Sequence, residues 1–277
     1  MNMELGKAEE IAANLHAKII NGVLPAGSRL ASERDLAEEL HVSRMTVRRA
    51  IEIIESQGLV VRYTGRGTFV VGTRGRVLID KGSEISSIKE SELRRAGSFL
   101  KDMERLGRKP QVLFLEQPSL IPANSEVADH LQIKVGTLVL KRYRLQLADD
   151  LPYRLIESFY PADLFGELLG IDIGDKPLFT WLQKRHHLRA TQAQEILVAR
   201  LPTQNEYQLL RIATHAPVVA LDRTVWTNGN RVIEWAHIIA VAAFYAFTYE
   251  YAIPVWNEDS QQSNGTISDL SSHTAYP

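Results

Sequence analysis

The sequence predicts an α+β chain of two domains: three short helices and a β-hairpin, followed by a mostly antiparallel α/β domain. Three observations carry this. Before Gly58, apolar residues recur at helical spacing in two runs, with a capping-box start for a further helix between them. Two β-rich runs flank Thr64-Gly65-Arg66-Gly67 directly afterwards. From about residue 96, β-rich runs alternate with helix-like ones and meet at Asp149-Asp150 and Asn228-Gly229-Asn230, residues suited to tight turns. The expected boundaries are 1–72 for the first domain, 73–95 for a linker, 96–255 for the second domain and 256–277 for a disordered tail.

In the first domain, Ile11, Leu15 and Ile19 form one stripe of a helix over Lys7–Asn21, which Gly22 ends. Ser32 and Asp35 have the spacing of a capping box and start a second helix that runs to about His41. Ser43 is the N-cap of a third helix that runs to about Gln57, and Gly58 stops it. Val47, Ala50, Ile51 and Ile54 are its packing face, whereas Arg44, Arg48 and Arg49 lie outside that stripe. Leu59–Tyr63 and Thr68–Val71 are the hairpin strands, with an arginine at the tip between two glycines.

The linker is rich in Gly, Ser, Lys and Glu and has weak periodicity. In the second domain helices are expected over Ser98–Leu106, Ser125–Leu131 and Gln204–Ile212. Strands are expected over Val112–Glu116, Thr137–Leu147, Tyr153–Tyr160, Gln194–Leu201, Pro217–Trp226 and Arg231–Val241. The tail from Asn257 is rich in Ser, Asn, Gln and Asp.

Length and composition narrow the class. A chain of 277 residues, 45% hydrophobic and 23% charged, has the balance of an ordinary globular protein with one or two cores. It has no cysteine, which leaves neither a disulfide framework nor a thiolate metal site and fits a reducing cytoplasm. Met1–Lys18 has no long apolar run and does not read as a signal peptide. The longest apolar stretch, Ile238–Tyr249, is too short to span a bilayer and reads as a buried strand. No membrane association is expected.

Net charge is −1, but it is unevenly placed. His41–Arg76 holds seven arginines against two glutamates, a local net of +5. Focused positive charge of this kind is the footprint of a phosphate-contacting surface. A helix entering the major groove puts its first turn against base edges. Arg44 and Arg48 project together there, and the arginine fork matches guanine O6 and N7, or a phosphate. Ser43 and Thr46 reach phosphates or thymine methyls, and Arg34 meets the backbone. Arg66 at the wing tip reaches the minor groove, with Gly65 and Gly67 allowing close approach. Duplex DNA is the partner these residues imply.

The segments Ser32-Glu33-Arg34-Asp35-Leu36-Ala37, Val42–Ala50 and Gly65-Arg66-Gly67-Thr68-Phe69-Val70 resemble the winged helix-turn-helix domain of GntR-family bacterial regulators over residues 7–72. The resemblance implies DNA contacts at Arg34, Ser43, Arg44, Thr46 and Arg48 and along the wing from Thr64 to Gly67. One departure is Ala31, where many members carry proline. Val139–Pro152 and Glu157–Phe165, with Pro217–Thr224 and Asn228-Gly229-Asn230, resemble the effector domain of the HutC subgroup, similar in fold to chorismate lyase and called UTRA.

Arg142 and Arg144 alternate on one strand, so both point to one face, where two guanidinium groups hold a carboxylate or phosphate. The resemblance implies an acidic effector there, with Glu157 and Glu234 as further candidates. From His237 to Phe247 the chain lacks the polar pattern of many members, which suggests a more apolar ligand or none. His186, His187 and His237 lack metal-ligand spacing with a carboxylate pair, and no acid–base or nucleophile–base arrangement stands out. Neither metal, cofactor nor enzyme activity is therefore expected.

The preferred reading is a homodimeric repressor that binds an inverted repeat and is released by a small acidic effector. One alternative is a constitutive repressor whose second domain only dimerises; a remote one is a lyase-like enzyme.

Overall fold

A computed structural model describes residues 6–71, 77–80, 99, 103, 106–170 and 178–248. The N-terminal helices are α1 (Lys7–Ile20), α2 (Glu33–Glu39) and α3 (Arg44–Ser56). Ser32 and Ser43 cap α2 and α3: their hydroxyls accept from the backbone N–H groups of Asp35 and Thr46 at 3.2 and 3.1 Å. On α3, Val47, Ala50, Ile51 and Ile54 are all at most 1% exposed and pack with Ile11, Leu15 and Ile19 of α1. Burying each Val or Ile contributes about 1.5–3 kcal/mol, so this stripe fixes how α3 sits on the other two helices. Gly58, at φ 68°, supplies the left-handed residue past the helix end. The hairpin strands β1 (Val60–Tyr63) and β2 (Gly67–Val70) follow at once.

The linker differs from expectation. Val77–Asp80 forms a strand, β3, paired in parallel with Tyr245–Thr248, more than 160 residues further along the chain. Its Val-Leu-Ile run is a β-former set among linker-type residues. Residues 81–98 and the expected tail, 256–277, lie outside the described residues. Of the expected helix Ser98–Leu106, Phe99 and Met103 are helical and buried, and Leu106 is in a turn.

The second domain is a six-stranded antiparallel sheet. Its strands are β4 (Pro110–Pro122), β5 (Leu138–Ala148), β6 (Leu151–Pro161), β7 (Ala190–Arg200), β8 (Val218–Thr227) and β9 (Val232–Val241), in the order β4-β5-β6-β9-β8-β7. Asp149 and Asp150 both adopt positive φ, 52° and 61°, as a two-residue hairpin turn requires. The apolar stretch from Ile238 is not one strand: β9 ends at Val241, a 3₁₀ turn spans Ala242–Phe244, and β10 (Tyr245–Thr248) runs beside β3.

On one face of the sheet, α4 (Ser125–Leu131) packs on Val139, Phe159 and Trp235. On the same face α7 (Gln204–Leu210) packs through Leu210 on Leu145, Leu155 and Ile239. The opposite face, at the Leu140 and Tyr160 end, meets α5 (Ala162–Phe165) and α6 (Leu178–His186) through Leu164, Phe165 and Leu182. These two helices were not foreseen, because α5 is a single turn and α6 has only a short apolar pattern. No helix among the described residues is long and apolar enough to cross a membrane.

Candidate functional site

The N-terminal domain presents a cleft of about 530 Å³ between the start of α3, the start of α2 and the wing. Arg29, Arg34, Arg44, Arg48 and Arg62 line it against a single carboxylate, that of Glu33. Arg44 opens α3 and is exposed, with no ion-pair or hydrogen-bond partner among the described residues. Arg48 is held differently. Its Nε and Nη2 donate to Glu33 Oε2 at 3.2 and 3.0 Å, a fork grip that fixes the guanidinium between α2 and α3. Arg62 on β1 approaches the same carboxylate at 3.8 Å.

Arg34 lies near Asp35 and Glu38, at 3.5 and 3.8 Å, and Arg49 lies 3.7 Å from Glu52. All of these are solvent-exposed pairs of little strength. The Ser43 and Thr46 hydroxyls are 2.8 Å apart, so each is partly committed to the other. Gly65 and Gly67 have φ of 74° and 103°. A Cβ on Gly67 would stand 2.7 Å from Arg29 Nε. Arg29 and Glu33, to neither of which the sequence assigned a role, therefore shape the cleft. Their signal was weak, one isolated arginine and one helix-start acid.

The wing tip is not free in this arrangement. The Thr64 N–H donates to the Arg211 carbonyl at 2.7 Å, and Arg66 Nη1 donates to the carbonyl of Asp150.

In the second domain, opposed residues on antiparallel strands share a face. Arg142 pairs with Ser158, Ser158 with Ala236, and Ala236 with Arg223. Arg142, Arg144, Tyr160, Arg223 and Glu234 thus share one face. Glu234 is 2% exposed and accepts from the Tyr160 hydroxyl at 2.7 Å and from Arg223 Nη2 at 2.8 Å. Burial, then the Glu234 charge, raises the Tyr160 hydroxyl above its usual range, so it stays a donor. Arg144 Nη2 donates to Ser158 Oγ at 3.1 Å. Arg144 Nε and Arg223 Nε are buried and have no hydrogen-bond partner among the described residues. Buried Ile156, Leu221, Ala236 and Ile238 form an apolar floor beside this charged set.

Glu157 does not join the other three effector candidates. It faces the opposite side, where its Oε1 lies 3.0 Å from Lys141 Nζ. The cause is a β-bulge. A strict two-residue turn would oppose Glu157 to Arg142, but Tyr153 is an extra residue on β6, between the Leu147–Pro152 and Gln146–Arg154 pairs. One inserted residue flips every side chain beyond it to the other face.

That other face carries a second cavity, about 340 Å³, lined by Lys141, Glu157, Trp235 and His237 among others. Lys141 is neutralised there by Glu116 at 2.9 Å as well as by Glu157. His237 Nδ1 lies 2.7 Å from Asp222 Oδ1. This contact raises the histidine above its usual range and lowers the aspartate. The histidine contribution to stability is complete below its unfolded value of about 6.5 and is lost as pH rises through the raised value. The aspartate contribution is present above its unfolded value of about 3.9 and is lost as pH falls through the lowered one. Between pH 5.5 and 8.5 the melting temperature of the native chain should therefore fall relative to that of His237→Gln. Parallel curves would contradict the pairing.

Family comparison agrees with this division of labour. The model described as "Bacterial regulatory proteins, gntR family" matches residues 7–70, and the UTRA domain model matches residues 105–245. The HTH-type transcriptional repressor NagR of Bacillus subtilis is 28% identical over 240 residues, 87% of this chain and 92% of that protein. The histidine utilization repressor of Pseudomonas putida is 27% identical over 222 residues, 80% of this chain and 82% of that protein. The crystal structure of PhnF from Mycobacterium smegmatis superposes with a TM-score of 0.56 at 22% identity, covering 88% of this chain and 100% of that one, a likeness of fold. With a winged helix-turn-helix that binds DNA and a UTRA domain that takes a small-molecule effector, the chain belongs to the gntR family of bacterial regulatory proteins, and it is a transcriptional regulator of the HutC type, not an enzyme.

Proposed function

We propose that this regulator is a repressor that binds an inverted-repeat operator as a homodimer and is released by a small acidic effector. The arginine cleft carries the reading: five guanidinium groups against one carboxylate, at the start of a capped helix. Arg44 reads base edges from the first turn of α3. Arg48 is pre-oriented by Glu33, and Arg34, Arg49, Ser43 and Thr46 meet the phosphate backbone. Thr64, Gly65, Arg66 and Gly67 bring the wing to the minor groove.

The effector lies on the face of Arg142, Arg144 and Glu234. Two buried guanidinium N–H donors without partners among the described residues support an anionic ligand group, because an unmatched buried donor costs about 1–3 kcal/mol. The apolar floor of Ile156, Leu221, Ala236 and Ile238 supports a ligand with an apolar part beside its acid, in keeping with the apolar end of β9. Glu157 is left to the opposite face. Domain limits of 1–72 and 96–255, with β3 of the intervening segment 73–95 paired to the second domain, and a cytoplasmic location complete the reading.

The strand β7 supports dimerisation, since it is the last strand of the sheet among the described residues and exposes Ile196 (46%) and Val198 (53%). The test is selection of binding sites from a random duplex pool, which should return an inverted repeat.

A further inference from the structure

The wing is docked into the second domain by more than its tip. Tyr63 is 1% exposed, and its ring meets Phe69 edge-on, with centroids 5.9 Å apart. Its hydroxyl donates to the Pro152 carbonyl at 2.6 Å, just past the β5–β6 turn. Tyr63 and Ile212 form an antiparallel bridge, and the Thr64 N–H donates to Arg211 beside it. Arg66 reaches the Asp150 carbonyl in the turn itself. A guanidinium held on that carbonyl cannot lie in a minor groove at the same time. The second domain also places Ala213 on the wall of the arginine cleft.

We propose that the Asp149–Asp150 turn and the Arg211–Ile212 segment form a latch that competes with DNA for the wing, so that Arg66 alternates between the Asp150 carbonyl and the duplex. The proposal rests on the reading of the wing as a DNA contact. The latch lies at the end of the two strands that carry Arg142, Arg144, Ser158 and Tyr160. Arg144 is five residues from Asp149, about 17 Å along a strand. A ligand that displaces the β5–β6 hairpin therefore acts on the latch without a further relay, and by linkage the state it favours is the one it contacts better.

The chain has no cysteine, so a single engineered disulfide can lock the latch. The Thr64 N–H donates to the Arg211 carbonyl next to the Tyr63–Ile212 bridge, so the two are opposed residues of an antiparallel pair, whose Cα atoms lie about 5.5 Å apart, within the reach of a disulfide. The double variant Thr64→Cys/Arg211→Cys is titrated, oxidised and reduced, against a labelled duplex selected from a random pool by the native chain. The oxidised form should bind at least about tenfold more weakly than the same protein in dithiothreitol, and equal affinities overturn the latch. Tyr63→Phe keeps the ring and removes only the bond to Pro152. It should bind the same duplex several-fold more tightly than the native chain, and unchanged or weaker binding overturns the latch. If the native chain selects no duplex at all, the DNA reading fails and the latch fails with it.

Discussion

Replacing Arg44 with alanine is expected to weaken binding to a selected operator by roughly 1–3 kcal/mol, about 5- to 150-fold. The folded chain should be unaffected or slightly stabilised. Arg44 has no intramolecular partner among the described residues, so its removal strands nothing. It also puts a positive charge at a helix N-terminus, a placement that costs about 0.3–1 kcal/mol by itself. A residue kept there against the helix dipole is explained by an external partner. Arg48→Ala is a useful contrast, because among the described residues it leaves Glu33 with only the long contact to Arg62 and so disturbs the cleft as well as the DNA contact. If Arg44→Ala binds the selected operator as tightly as the native chain, Arg44 does not read bases.

The second large effect concerns the Arg223–Glu234–Tyr160 set. Glu234→Ala removes the acceptor for a buried hydroxyl and the counter-charge of a guanidinium whose side chain is 26% exposed. Breaking a buried pair costs roughly 3–5 kcal/mol, and the partial exposure of Arg223 places this one at the low end, about 3 kcal/mol. For a domain of this size that is a fall in melting temperature of roughly 6–12 °C. The paired change Arg223→Met/Glu234→Leu should recover only the part of the loss due to the unpaired guanidinium, because it strands no charge but still leaves the buried Tyr160 hydroxyl without its acceptor. A shift within about a degree for Glu234→Ala would show that water already satisfies Arg223 and Tyr160.

Much of the fold was legible because local signals agreed. Serine caps, a four-residue apolar stripe on α3 and a Gly-Arg-Gly tip all report structure within a few residues of themselves. The second domain was legible strand by strand for a similar reason: alternation and turn residues are local. Which faces the strands share is not local. Arg142 and Arg144 could be placed together because they lie on one strand. Glu157 could not be placed with them, because one bulged residue, Tyr153, decides its side.

The same limit applies to strand β3. Its partner is more than 160 residues away, and an apolar triplet inside a polar linker says nothing of where it will pair. Glu33 was missed for a different reason. A first-turn acid reads as a helix-dipole partner, and only the crossing of α2 and α3 turns it into the clamp that orients Arg48.

Operator recognition depends on two copies of the α3–wing surface meeting one duplex. Selection from a random duplex pool, with footprinting of the winners, tests this directly. It should yield an inverted repeat with half-site centres one helical turn, about 10 base pairs, or a multiple of that apart, and protection of major-groove base edges in each half. Recovery of duplexes with no shared half-site, or of single half-sites bound as well as paired ones, would contradict it.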